Sequence, residues 1–131
     1  MRYKCFSEMP VWRMSLGLSK KVFKLTSGLP RVEDYGLSSQ LRRSANSISA
    51  NIAEAYGRRG LKDKSVFYIV SRGSAYEVKS HLLYGETVGY FKEDTVGDLL
   101  SGYATIIHEL NKILKSFQNQ SKNPSQAYSQ S

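Results

Sequence analysis

The chain has 131 residues, 40% of them hydrophobic and 23% charged, with one cysteine and a formal net charge of +8. That length suits a single domain burying roughly two-thirds of its unfolded surface, and the composition excludes a disordered polymer. No apolar run approaches the ~20 residues that span a bilayer, the start lacks the apolar block of a secretory signal, and lone Cys5 cannot form an internal disulfide; a cytoplasmic protein without a membrane partner is expected.

From the N-terminus, Val11, Met14, Leu18, Val22 and Leu25 recur at three- and four-residue steps, which predicts an amphipathic helix over 9–27. Pro10 sits in its first turn, and Gly28 and Pro30 end it. Trp12, Leu16 and Phe23 make a second apolar line on its flank, with Arg13, Lys20 and Lys24 on the far side. Leu37, Leu41, Ala45, Ile48, Ile52 and Ala55 predict a second helix over 37–56, closed by Gly57 as a C-terminal cap. Val66, Ile69 or Val70, Gly73, Tyr76, Ser80 and Leu83 form the apolar line of a third helix over 62–88, closed by Gly89. Leu99, Tyr103, Ile106, Leu110, Ile113 and Phe117 alternate steps of four and three, a coiled-coil-like seam for a fourth helix over 94–118.

No segment alternates as a strand does, and the connections carry Gly and Pro. The expected fold is therefore all-α: an antiparallel up-down-up-down four-helix bundle forming one domain over 1–118. The polar run 119–131 is expected to be a disordered tail.

Charge is divided unevenly. Residues 1–64 hold 13 Lys and Arg against 5 Asp and Glu, whereas residues 65–131 hold 6 against 6. A one-sided excess of this kind suits a polyanion, because clustered cations displace condensed counterions from phosphates. The candidate nucleic-acid contacts are Arg42, Arg43, Arg58, Arg59, Lys62 and Lys64, joined by Arg13, Lys20 and Lys24. A solvated surface that only maintains solubility is the plainer alternative.

From Ser44 to Gly57 there is one charge, Glu54, in fourteen residues. Short residues lie on every face, where an exposed helix usually offers Lys, Glu or Arg. Ser44, Ser47, Asn51 and Glu54 are accordingly candidate subunit-interface residues. Gly73 joins them, since a mid-helix glycine costs ~1 kcal/mol against alanine unless a close crossing offsets it. His81 and His108 lack a ligand-spaced partner, and there is neither a Gly-rich phosphate loop nor a nucleophile elbow. No catalytic residue, metal ligand or cofactor is expected.

The run YGLSSQLRRSANSISANIAEAYGRR, from Tyr35 to Arg59, resembles the signature of the 23S rRNA intervening-sequence protein family, also called the four-helix bundle protein family. Val11 and Trp12, the Gly73–Ser74 pair followed by Glu77, and VGYF at 88–91 extend the likeness over roughly residues 6–117. The resemblance implies a left-handed bundle assembled as a cyclic homopentamer, with members encoded in insertions within 23S rRNA genes or standing alone. Arg42, Arg43, Asn51, Glu54, Arg58, Arg59 and Glu77 match the family pattern, while Ser49, Ala55 and Lys79 depart from it. The accessory protein of diversity-generating retroelements is distantly similar in fold and binds a reverse transcriptase and nucleic acid. RNA or DNA is thus the expected partner besides the chain itself. A protein scaffold, or an accessory subunit of a reverse transcriptase or other protein, is the alternative.

Overall fold

In a computed structural model described over residues 3–122, four long helices follow one another: α1 (Pro10–Thr26), α2 (Leu37–Gly57), α3 (Leu61–Thr87) and α4 (Glu93–Ser121). Single 3-10 turns, Phe6–Glu8 and Arg31–Glu33, precede α1 and α2, and there is no strand among the described residues. Successive helices pair in opposite directions. Thr26 and Ser19 of α1 bond Arg42 and the Ala45 carbonyl of α2; Ser71 and Ser74 of α3 bond the Ile48 carbonyl and Ser47 of α2. Arg72 of α3 reaches Asn111 of α4, and Leu18 of α1 packs onto Gly102 of α4, where a Cβ would fall 2.8 Å from its methyl. The chain therefore runs up-down-up-down and closes α4 against α1. Val22, Leu41, Ile48, Ile52, Val78, Leu82, Tyr103 and Leu110 fill the centre.

The shortness of α2's side chains has an explanation inside the chain. Ser19 Oγ donates to Ala45 O at 3.1 Å from one side, and Ser71 Oγ donates to Ile48 O at 2.9 Å from the other. A side chain as short as serine reaches a carbonyl of a neighbouring helix only where the two backbones approach closely. Ser44, Ala45, Ser49 and Ala55, all buried, permit that approach.

Helix three overturns its predicted orientation. Its buried residues are Lys64, Tyr68, Ser71, Ser74, Ala75, Val78, Leu82 and Gly85, while Val66, Ile69, Val70, Tyr76 and Leu83 are exposed. The inner face joins Tyr68, Ala75, Val78 and Leu82 to Ser71 and Ser74, whose hydroxyls are satisfied on α2. Helix four runs through Ser121, three residues into the polar run expected to be tail, and Gln120 is buried. The rest of that tail, from residue 123, lies outside the described residues.

The helix ends complete the frame. Gly89, at φ +88°, donates to Glu86 O, while Tyr90 N–H donates to Gly85 O at 2.8 Å, a left-handed cap that turns Phe91 onto Gly85. Gly57, predicted to do the same for α2, lies within the helix, and Arg58 continues in extended backbone. At the start of α2, Glu33 Oε1 accepts the Leu37 N–H at 3.0 Å and Oε2 accepts the Tyr90 hydroxyl at 2.9 Å. Those two donors, the backbone one foremost, hold the Glu33 carboxyl below the usual carboxylate range.

Candidate nucleic-acid interface

Lys64 is a correction to the predicted site. Its residue exposure is only 5%, and its ammonium donates to Ala55 O and Tyr56 O, each at 3.1 Å. These are carbonyls of α2's last turn, at the negative end of its dipole, and Ala55 O also accepts the Arg58 N–H at 3.1 Å. Lys64 thus replaces the glycine cap, and burial lowers its pKa. Its charge is not offered to a phosphate.

Three predicted arginines are also engaged. Arg42 lies over the Phe23 ring, 4.0 Å from its centroid, while Nε donates to Thr26 Oγ1 at 2.8 Å and Nη2 to Ser27 Oγ at 3.1 Å. It fastens the C-terminus of α1 to α2. Arg43 pairs with Glu77 across α2 and α3, and Glu77 also meets His81 at 3.3 Å. Arg58 bonds Glu54 at 3.2 Å, approaches Asp63 at 3.8 Å and stacks on Phe67. Arg43 and Arg58 remain exposed, so each keeps a face toward solvent.

Arg59 and Lys62 differ: both are exposed, and neither is paired with a carboxylate among the described residues. The same holds for Arg13, Lys20, Lys21 and Lys24 along α1. Between α1 and α2 lies an open groove of about 1160 Å³, with Trp12, Leu16 and Phe23 along α1 and Arg13, Lys20, Arg42 and Arg43 around it. The predicted patch is therefore split: Arg59 and Lys62 stand at the α2–α3 turn, and Arg42 and Arg43 stand beside a cationic α1. The groove was foreshadowed by the second apolar line of the first helix, of which Leu16 and Phe23 are exposed while Trp12 is half-buried edge-on against Phe6.

The expected subunit residues divide likewise. Ser44, predicted at an interface, is fully buried in its own chain, with its hydroxyl donating back to the Gln40 carbonyl at 2.8 Å. Ser47 and Asn51 are half-buried and bonded to each other, and Ser47 Oγ also accepts the Ser74 hydroxyl. Glu54 is exposed and paired with Arg58. Gly73 is exposed, and a Cβ there would meet nothing within 4 Å, so no crossing inside the chain accounts for it. It lies in the outward stripe of α3 formed by Val66, Ile69, Tyr76 and Leu83, which sequence reasoning had placed in the core.

Among the described residues no group of three or more His, Cys, Asp or Glu is arranged to hold a metal ion, and no helix is long and apolar enough to cross a membrane.

A solved structure from Bacteroides thetaiotaomicron, of a protein with unknown function from the S23 ribosomal protein family, superimposes with a TM-score of 0.75 at 24% identity, covering 80% of this chain and 98% of that one. That likeness is one of fold. No curated protein matches the chain. The family model described as 23S rRNA-intervening sequence protein matches residues 7–112, a span that runs from the turn before α1 into the second half of α4, and the chain belongs to that family.

Proposed function

We infer that this protein is a non-enzymatic, self-assembling bundle of the cytoplasm that binds nucleic-acid backbones through the cations of its first half. The observation that carries this reading is the row of cations without carboxylate partners among the described residues: Arg13, Lys20, Lys21 and Lys24 on α1, with Arg59 and Lys62 at the α2–α3 turn. Counterion release rewards such charges on a polyanion, and contact with phosphates needs no base-reading motif. Assembly into the cyclic homopentamer of left-handed bundles proposed from the family likeness would repeat the patch, so that weak individual contacts add through avidity.

Fluorescence anisotropy with a labelled structured RNA and a matched duplex DNA, over a salt series, tests the reading. A steep loss of affinity with salt is expected; no binding at low salt would remove it. The outward stripe of α3 favours a second reading, a protein scaffold or accessory subunit of a reverse transcriptase or other protein. Exposed Val66, Ile69, Tyr76 and Leu83 suit a protein surface rather than phosphates. Light scattering on the same samples separates the two uses of the stripe. Ile69→Glu is expected to reduce the mass if the stripe joins copies, and to leave it unchanged if the stripe serves another protein.

A further inference from the structure

The α1–α2 groove combines two features that the backbone-binding reading does not use. Its α1 wall bears aromatic and aliphatic surface, with Leu16 and Phe23 exposed and Trp12 half-buried edge-to-face against Phe6, and none of its lining residues is acidic. At ~100° per residue, those three positions fall within about 40° of one another around the helix. Arg13 and Lys20 lie within about 20° of each other, to one side of that line. A row of rings thus runs beside a row of cations, and Arg42 and Arg43 stand on the opposite wall. The guanidinium of Arg42 is already laid over Phe23 and held there by Thr26 and Ser27, so one aromatic step of the groove is fixed before any ligand arrives.

We propose that this groove takes single-stranded nucleic acid, with bases stacked on Trp12 and Phe23 and phosphates beside Arg13 and Lys20. Rings accept bases of any identity, and a flanking cationic row follows a flexible backbone. A duplex has its bases stacked internally and cannot offer them to the groove, so the strand must be unpaired. An acidic amphipathic helix would satisfy the cations, but it would leave the pairing of rings with a fixed guanidinium without a role. The assignment rests on the nucleic-acid reading above and adds to it a single-strand site on one surface.

Trp12 is the only tryptophan of the chain, so its emission reports one place, where the groove wall meets Phe6. The full chain is titrated with a short oligothymidylate, with a duplex of equal length and with inorganic polyphosphate, while anisotropy of a labelled strand follows binding independently. Quenching of Trp12 by the oligothymidylate, and not by duplex or polyphosphate, is expected. Phe23→Ala should weaken single-strand binding about fivefold or more, the loss of one stacked base, with duplex binding unchanged. Because Phe23 is exposed and Arg42 keeps its bonds to Thr26 and Ser27, that variant retains the fold, which circular dichroism checks. Binding by anisotropy with Trp12 emission unchanged would overturn the groove assignment and leave backbone binding standing. No binding of any nucleic acid would overturn both. Quenching by an acidic helical peptide and not by the strand would assign the groove to a protein. A ligand-free shift of Trp12 emission with protein concentration would assign it to a second copy.

Discussion

Two sets of cations in this molecule look alike in the sequence and behave differently in the fold. At the junction of α2 and α3, Lys64 is buried on two helix-end carbonyls and Arg58 is shared between Glu54 and Asp63. Along α1, Arg13, Lys20, Lys21 and Lys24 are exposed and lack carboxylate partners among the described residues. A count of charges treats the two sets as one patch. What each ammonium or guanidinium already touches separates structural cations from those available to a ligand.

The sharpest test is Lys64. Lys64→Met keeps most of the buried stem but leaves the Tyr56 carbonyl without its donor and the Ala55 carbonyl with the Arg58 N–H alone, so unfolding stability in urea should fall by about 2 kcal/mol. Affinity for RNA should stay unchanged at temperatures where the variant is folded. Normal stability with weakened binding would place Lys64 among the available cations and break the division. Arg42 should behave as an intermediate case. Arg42→Ala removes its bonds to Thr26 and Ser27 and its contact with Phe23, with an expected cost of about 1–2 kcal/mol, and it also weakens single-strand binding.

The available set predicts the reverse pattern. Arg13→Ala combined with Lys20→Ala should change stability by no more than about 0.5 kcal/mol, since both are exposed and unpaired. The same pair should reduce the slope of log affinity against log salt on duplex DNA by nearly 2, at ~0.9 per lost phosphate contact. Anisotropy over a salt series measures this directly. A large loss of stability would show that α1's charges also hold the bundle together.

An ionised acid extends the comparison to pH. Glu33, like Lys64, is committed to an end of α2, and its folded-state pKa is held down by the Leu37 N–H and the Tyr90 hydroxyl. Its contribution to stability is complete above the unfolded carboxylate pKa and is lost as pH falls through the lower folded value. Glu33→Gln should therefore flatten the acid limb of the stability profile, and an unchanged limb would place the titrating groups elsewhere.

How much of this could be read in advance differs between helices for a physical reason. In α4 the apolar seam and the buried face coincide: Leu99, Tyr103, Ile106 and Leu110 are buried as their spacing predicts, and Leu37, Leu41, Ile48 and Ile52 do the same in α2. In α3 they diverge. Its buried face includes Lys64, Ser71 and Ser74, residues that hydropathy assigns to solvent and that are satisfied only because α2 supplies oxygen atoms within bonding distance. Val66, Ile69, Tyr76 and Leu83 gave the stronger periodic signal and drew the assignment to the wrong face. The competing line Tyr68, Ser71, Ala75, Val78 and Leu82 has equally regular spacing, but Ser71 and the small Ala75 weaken it. The candidate site was blurred by the same cause: Lys64 is called basic by its side chain and made structural by its neighbours.

The smallest expected effect tests the division over a single peptide bond. Arg58 and Arg59 are adjacent, exposed and equally basic, yet Arg58 is shared between two carboxylates and the Phe67 ring while Arg59 is not paired with any described carboxylate. Moving Arg58 onto a phosphate must first release Glu54 and Asp63, whereas Arg59 gives up only water and counterions. Arg59→Ala should therefore lower the salt slope by about 0.9 and leave stability unchanged. Arg58→Ala should lower the slope by less and cost a few tenths of a kcal/mol, the usual scale for exposed ion pairs. If the two variants bind alike, exposure alone sets availability and the pairing is irrelevant to function. A larger binding loss from Arg58→Ala would mean that the ligand displaces Glu54 and Asp63 and uses the arginine they hold in place.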